Sequence, residues 1–556
     1  MTDSYLTPAQ KAQRAINRGA EAFQGPCYVC QKMLWMSFFF DAPKHDAIED
    51  KATPDRLTNV GKLLSIHPPT RPDRGIYTIY YNGLQKKLNT HDFARQTTTR
   101  EIGDKVLEDS MIDKIKDAGK EAFKAGGKIG VGSLKGFLDL KDAATTFGKM
   151  VWKATTEEYG WLRDNPLFSN FSDSGVTTRI NNAITEFENI LKTQTQKIVR
   201  IRIAIFGADM GAAIARAFAN KLINKHMRIE GDRIFYGEAE VEFMMMGLFD
   251  CVSSRSNDVI NKFAMDAASQ GQYAQGLDEP MGIRPHFRYV YHAVAAHENR
   301  PYKRLDSVRK CKASVVSEEL FPGDQGDVIG GHPPDQEGRS NQLSRRPLMR
   351  MYSMAMAQAV PFVPLEKMKK KDLELTGTFI LTDKLVENGI PRDAGGRILA
   401  VMQPELNEGP LEQGLAAGAR QRLRWLAMDD RILETHQKYA AAYARLKQQI
   451  VRIQQSFEHP NGQSEAQLNL FYDMFATELK LYGDLEQYGR LYNGPYAQRL
   501  NAADQAIEGL FEQFIHDSFD GMANDGVDQM ESAMTLGDAR WGYLTPRPVD
   551  SSDTFE

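Results

Sequence analysis

Only four cysteines occur in 556 residues, too few for a disulfide framework. Cys27 and Cys30 alone lie close together, in Gly25-Pro-Cys-Tyr-Val-Cys30, and read as two thiols leading into a strand rather than a redox pair or half a zinc site. No apolar run reaches the roughly 18 to 20 residues of a membrane-spanning helix. Met1-Thr-Asp-Ser-Tyr5 has no basic stretch followed by an apolar one, so the expected location is the cytoplasm. A net charge of -4 gives no electrostatic footprint for nucleic acid. No internal repeat is visible. The hydrophobic share of 42% and charged share of 26% are those of a soluble globular chain, long enough for roughly three to four domains or for one large core with insertions.

The hydrophobic patterning supplies a βαβ rhythm. Met33 to Phe40 is a continuous apolar run, as expected of a strand buried on both faces of a mostly parallel sheet. Leu57 to Leu64 reads as an amphipathic helix and Gly75 to Tyr81 as a second strand. Thr177 to Thr195 places Ile180, Ile184, Phe187, Ile190 and Leu191 on one helical stripe. Further strands are expected at Glu240 to Asp250, Tyr289 to Ala296 and Val315 to Phe321, and a helix at Pro347 to Ala359. Arg100 to Phe147 is basic and rich in glycine, which suits a packed insertion or an element that meets a membrane or partner. Beyond about 365 long helices dominate the pattern, including Leu415 to Met428, Asp430 to Gln455, Glu465 to Tyr482 and Asn501 to Phe519. The polar tail from Val549 is expected to fray.

The stretch from Ile201 to Asn220 reads as strand, tight turn and helix. Gly207 and Gly211 have the G-x-x-x-G spacing of a nucleophile elbow, where a sharp reversal leaves no room for side chains beside the central residue. That central residue is Asp209, not serine.

Several separated segments together resemble the type VI secretion phospholipase effectors of the first lipase class, a family of uncharacterised α/β-hydrolase domains. Phe38-Phe-Phe-Asp-Ala-Pro43 resembles the family's F-F-D-G-T, and Phe206-Gly-Ala-Asp-Met-Gly-Ala212 its elbow G-F-S-R-G-A. Gly247-Leu-Phe-Asp-Cys-Val-Ser253 is similar to G-x-F-D-T-V-A, and His292-Ala-Val-Ala-Ala-His-Glu-Asn-Arg300 to H-A-x-A-x-D-E-x-R. The loop from Leu320 to Gly331 resembles F-P-G-x-H-x-D-V-G-G-G; Leu343 to Leu348 and Ile515-His-Asp-Ser518 resemble later signatures.

The departures fall where the chemistry of that family takes place. There a serine attacks the ester, an aspartate orients a histidine, and the histidine takes the serine proton. The resemblance puts Asp209, Asp250 and Gln325 at those three places. An amide does not titrate near neutral pH, so Gln325 is no base. Asp41, Ala42, Ala208 and Met210 correspond to the region that stabilises the oxyanion, where Ala42 and Pro43 replace glycine and threonine. Asp209 is an alternative nucleophile if a relocated histidine activates water; His332 and His292 are the substitutes considered, with His297 and His516 further off.

The resemblance implies an α/β-hydrolase-like, mostly parallel sheet with helical insertions and an α-helical C-terminal region. The expected divisions are an N-terminal helical segment over 1–26, a hydrolase-like domain over 27–365 with an insertion at about 100–175, and a helical region over 366–556 packed on the core. The expectation for function is a phospholipase-effector relative that has lost serine-hydrolase activity and binds a protein or lipid. The alternative is an active ester- or epoxide-cleaving hydrolase using Asp209 with Asp250 and a histidine. No cofactor is expected, with a divalent cation at Asp209, Asp250 and Asp327 as the lesser alternative. The implied partners are a secretion-machinery component, a cognate lipase or an immunity protein, with lipid contact through the glycine-rich segment. Export by a type VI system without a signal peptide is the implied route.

Overall fold

The computed structural model describes residues 31–84, 174–252, 282–298, 305–428, 451, 502–516, 547 and 549–550. The aromatic strand β1 (Gln31–Phe40) pairs in parallel with the edge strand β2 (Ile76–Tyr81) on one side and β3 (Lys197–Ala208) on the other. Next to β3 come β6 (Ala239–Phe249), β7 (Val290–Ala295) and β9 (Val316–Phe321), all parallel. Two short strands, β4 (Arg228–Glu230) and β5 (Arg233–Tyr236), form an antiparallel extension on the early half of β6. The expected α/β class with a mostly parallel sheet is what the chain adopts.

Side chains alternate across a strand, and this divides the core into two layers. Leu34, Met36, Phe38 and Phe40 of β1 and Ile201, Ile203 and Ile205 of β3 bury against α2 (Ser174–Lys192) and α3 (Met210–His226). Phe39, Ala204, Phe206, Met245 and Tyr291 point the other way, onto α1 (Asn59–Ile66) and α5 (Arg345–Ala357). Aromatic pairs lock both layers: Phe38 and Phe218 have ring centroids 4.6 Å apart, and Phe39 stacks on Phe206 at 5.2 Å. Thr58 caps α1, its hydroxyl accepting from the Gly61 amide at 3.0 Å.

The elbow needs its glycines for space rather than for an unusual dihedral. A Cβ on Gly207 would lie 2.6 Å from the Ala212 Cα, and one on Gly211 would lie 2.3 Å from the Asp41 carbonyl oxygen. Bare backbone at both positions lets α3 start directly against β1 and β3.

Past residue 365 the described chain is helical but not wholly so. Lys384–Glu387 (β10) and Ile390–Asp393 (β11) form an antiparallel hairpin within a region whose sequence pattern is dominated by long helices. Asn388 and Gly389, both at positive φ (50° and 75°), make the two-residue turn. The helices α6 (Leu411–Met428) and α7 (Ala502–Gln513) follow. Leu406, Leu415 and Ala417 pack on Val294, Ala296 and Leu320 at the strand ends, and the Gln403 amide donates to the Leu320 carbonyl at 2.7 Å. At the start of the tail expected to fray, Val549–Asp550 (β12) pairs in parallel with Leu305–Asp306 (β8), and 551–556 lie outside the described residues. Cys27 and Cys30, the glycine-rich stretch from Arg100 to Phe147, and the helices expected over 430–455 and 465–482 lie outside the described residues. Among those described, no helix is long and apolar enough to cross a membrane.

Two stability predictions follow from this packing. Gly211→Ala forces a methyl into the Asp41 carbonyl and is expected to lower unfolding free energy by about 1–3 kcal/mol in urea titrations, although alanine is the better helix former. His67 is buried between Phe39 and Phe362 with Nε2 on Ser37, and burial lowers its pKa from 6.5 to about 4. Its neutral form therefore stabilises the fold fully above pH 6.5. The contribution is lost as pH falls toward 4, because the unfolded chain takes up the proton first. His67→Gln should flatten this part of the acid limb in melting temperature measured against pH.

Candidate functional site at the strand ends

The carboxyl ends of β1, β3, β6, β7 and β9 lie level: Phe40 pairs with Gly207, Ala208 with Phe249, Phe249 with Ala293, and Ala295 with Phe321. Open α/β sheets place their functional groups at this rim. Asp209 occupies the step from β3 into α3 at φ 52° and ψ -125°. A non-glycine residue held there is strained. Its amide donates to the Phe249 carbonyl at 2.9 Å and its carbonyl receives the Ala212 amide at 3.0 Å. The elbow conformation is thus present with aspartate at its apex.

Asp250 ends β6, also at positive φ (46°), and is fully buried. Its carboxylate is surrounded by donors. The Ala295 amide reaches Oδ1 at 2.9 Å, the Gln325 side-chain amide reaches Oδ2 at 3.1 Å, and Arg547 Nη1 reaches Oδ2 at 2.7 Å. Arg547 Nη2 completes a bidentate pair on Oδ1. Burial pushes the carboxyl upward, but the guanidinium overrides it and holds Asp250 below the usual carboxylate range. Arg547 was not anticipated: it lies in a polar tail, 297 residues from its partner, and no local pattern marks it.

Gln325 is delivered by α4 (Gln325–Ile329), a one-turn helix within a stretch read as loop. Asp324 and Asp327 cap it reciprocally, Asp324 Oδ1 accepting the Asp327 amide at 2.8 Å and Asp327 Oδ2 the Asp324 amide at 3.1 Å. Gly323, at φ 119°, permits the turn; a Cβ there would lie 2.3 Å from that of Asp327. The structure thereby brings Gln325 into direct contact with Asp250.

The loop after β1 is built around Asp41. Its Oδ1 accepts the Ala42 amide at 2.9 Å and the Thr58 hydroxyl at 2.6 Å, and its Oδ2 accepts the Tyr80 hydroxyl at 2.8 Å. Burial raises its pKa, against the pull of His45 and these donors. The Ala42 amide is thus turned onto its neighbour's side chain, and Pro43 has no N–H to offer. Ala42, Ala208 and Met210 are all buried at this rim. Thr58 and Tyr80 escaped the sequence reading because each lies in a separate element.

The histidines considered as bases are engaged elsewhere. His292 Nε2 accepts the Cys251 amide at 2.9 Å, and its Nδ1 lies 2.7 Å from Glu318 Oε1, whose carboxyl stays below its usual range. His297 Nδ1 accepts the Gly323 amide at 2.9 Å, and its Nε2 donates to Gln421 at 3.1 Å. His332 contacts Gln336 and Asp324, at 3.0 and 3.2 Å, and His516 contacts Asp327 at 2.7 Å. None of these four rings hydrogen bonds to Asp250. Of the carboxylates weighed for a cation, Asp250 faces Arg547 while Asp327 faces His516.

Residues 191–354 match the family model described as the catalytic domain of Tle1-like phospholipase effectors of the type VI secretion system. No curated protein matches the chain. Among solved structures, an uncharacterized protein from Pseudomonas aeruginosa superposes with a TM-score of 0.51 at 16% identity, over 99% of this chain and 83% of that one, a likeness of fold alone. A Tle1 effector solved bound to the VgrG spike of the type 6 secretion system is 18% identical over 54% of this chain and 52% of that chain. Its TM-score of 0.26 carries no structural argument. The elbow, Asp250 and Gln325 all fall inside the matched span, and over residues 191–354 this chain is similar to the Tle1-like phospholipase effectors, the type VI secretion family that its separated motifs resemble.

Proposed function

We propose that this chain is a phospholipase-effector relative whose ester-cleaving centre is no longer assembled, and that it acts by binding a protein partner or lipid. The observation that carries this reading is the environment of Asp250. In a serine-type relay that carboxylate orients an imidazole, which must take a proton and return it. Here both oxygens are filled by Arg547, Gln325 and the Ala295 amide. Gln325 sits where a base is needed and cannot accept a proton near neutral pH. Asp209 replaces the nucleophile, and the Asp41 loop turns the Ala42 amide inward. The family match supports a type VI secretion component, a cognate lipase or an immunity protein as the partner class, and export by that system from the cytoplasm. Within this reading the sheet domain spans about 27–365, and the helical region from 366 forms a second unit packed on it.

A second reading keeps one supporting observation. Asp209 holds the elbow conformation, φ 52° and ψ -125°, so a carboxylate nucleophile attacking an ester or epoxide is the alternative, with His332 or His292 relocated to activate water. Purified protein incubated with short- and long-chain esters, phospholipids and epoxides separates the two. The binding reading expects no turnover above buffer and no change with Asp209→Asn. Turnover abolished by that substitution overturns it.

The clamp on Asp250 makes its own prediction. Arg547→Met leaves a buried carboxylate without its counter-charge and should lower unfolding free energy by about 3–5 kcal/mol in chemical denaturation.

A further inference from the structure

A second cluster of ionisable side chains lies beside the Asp250 site without joining it. His332 follows the Gly330-Gly331 turn after α4, and His516 lies just past the end of α7. Their rings stack with centroids 4.0 Å apart and planes at 20°. Asp327 completes the group: one ligand atom from each of Asp327, His332 and His516 lies within 4.8 Å of the other two. Gly326 makes room for the upper ring, since a Cβ there would lie 2.1 Å from His332 Nε2.

Two imidazoles and a carboxylate are a ligand set for a borderline divalent ion. A separate observation points to a missing ligand. His516 Nδ1 and backbone amide both engage Asp327, at 2.7 and 2.9 Å, while its Nε2 is buried with no hydrogen-bond partner among the described residues. An orphaned ring nitrogen in a fully buried side chain is costly unless something occupies it.

We propose that Asp327, His332 and His516 bind a divalent transition-metal ion of the zinc class, with Asp324 as the outer carboxylate that orients His332. Near-parallel rings cannot both direct a lone pair at one ion, so binding tilts them apart. His332, the less buried of the two, is the ring that turns, leaving Gln336 while Asp324 stays on its Nε2. The ion ties the α4 loop, and Gln325 with it, to the end of α7. This site does not depend on whether ester cleavage is retained.

The test uses the full chain, stripped with a chelator and dialysed. Zn²⁺ is titrated by calorimetry, and Co²⁺ by visible absorption. Expected are one equivalent of either ion, Co²⁺ ligand-field bands, and a melting temperature raised by Zn²⁺. His332→Gln and His516→Gln should each weaken binding at least about 10-fold and remove the thermal shift. Absence of saturable binding overturns the proposal, as does wild-type affinity retained in both variants. If His516→Gln fails to fold, His332→Gln decides alone, its fold checked by an unchanged melt in chelator.

Discussion

The buried pair between Asp250 and Arg547 is the interaction on which the strand-end rim depends. A carboxylate wholly removed from water is tolerable only with a counter-charge and filled lone pairs. The chain meets that demand from three places at once: the start of α4, the last residue of β7, and a tail residue 297 positions away. Two residues beyond Arg547, β12 pairs with β8 in a separate two-stranded sheet, which tethers the chain next to the guanidinium.

The elbow shows that a scaffold and its chemistry are separable. Asp209 and Asp250 both hold positive φ, at a cost of about 1–3 kcal/mol each. Nothing about a serine is needed to maintain that geometry. Gly207 and Gly211 let α3 approach β1 and β3, the level strand ends fix where the turn falls, and the burial of Phe206, Ala212 and Phe218 holds it there. A proton relay has no comparable redundancy, because each member must titrate or attack. Substitutions at Asp209 and Gln325 can therefore remove the relay and leave the fold intact, which is the physical basis of the binding role proposed above.

Elements governed by local patterning were legible in the sequence. The runs at Met33 to Phe40 and Glu240 to Asp250 announced buried parallel strands, and each agrees with the structure to within two or three residues. Asn388-Gly389 is the strongest two-residue hairpin signal a chain can carry, but the helices that flank it dominate the local pattern. The α4 turn reads as loop in the sequence because five residues with two glycines nearby fall below any helical period. What gives it away is the Asp324–Asp327 capping box, a reciprocal bond visible only once the backbone has turned.

By itself the sequence determined the alternation of strand and helix, the tight turn at Gly207 to Gly211, and the aspartate and glutamine at positions where the resembled motifs carry serine and histidine. These are properties of adjacent residues, set by period, dihedral preference and side-chain chemistry. Tertiary structure alone decided which distant residues meet at the rim. Arg547 on Asp250, Thr58 and Tyr80 on Asp41, and His516 against His332 join residues from separate elements. Long-range pairing of this kind leaves no trace in local pattern, because the free energy that selects it is desolvation of a buried charge, and burial exists only once the sheet and its layers have come together.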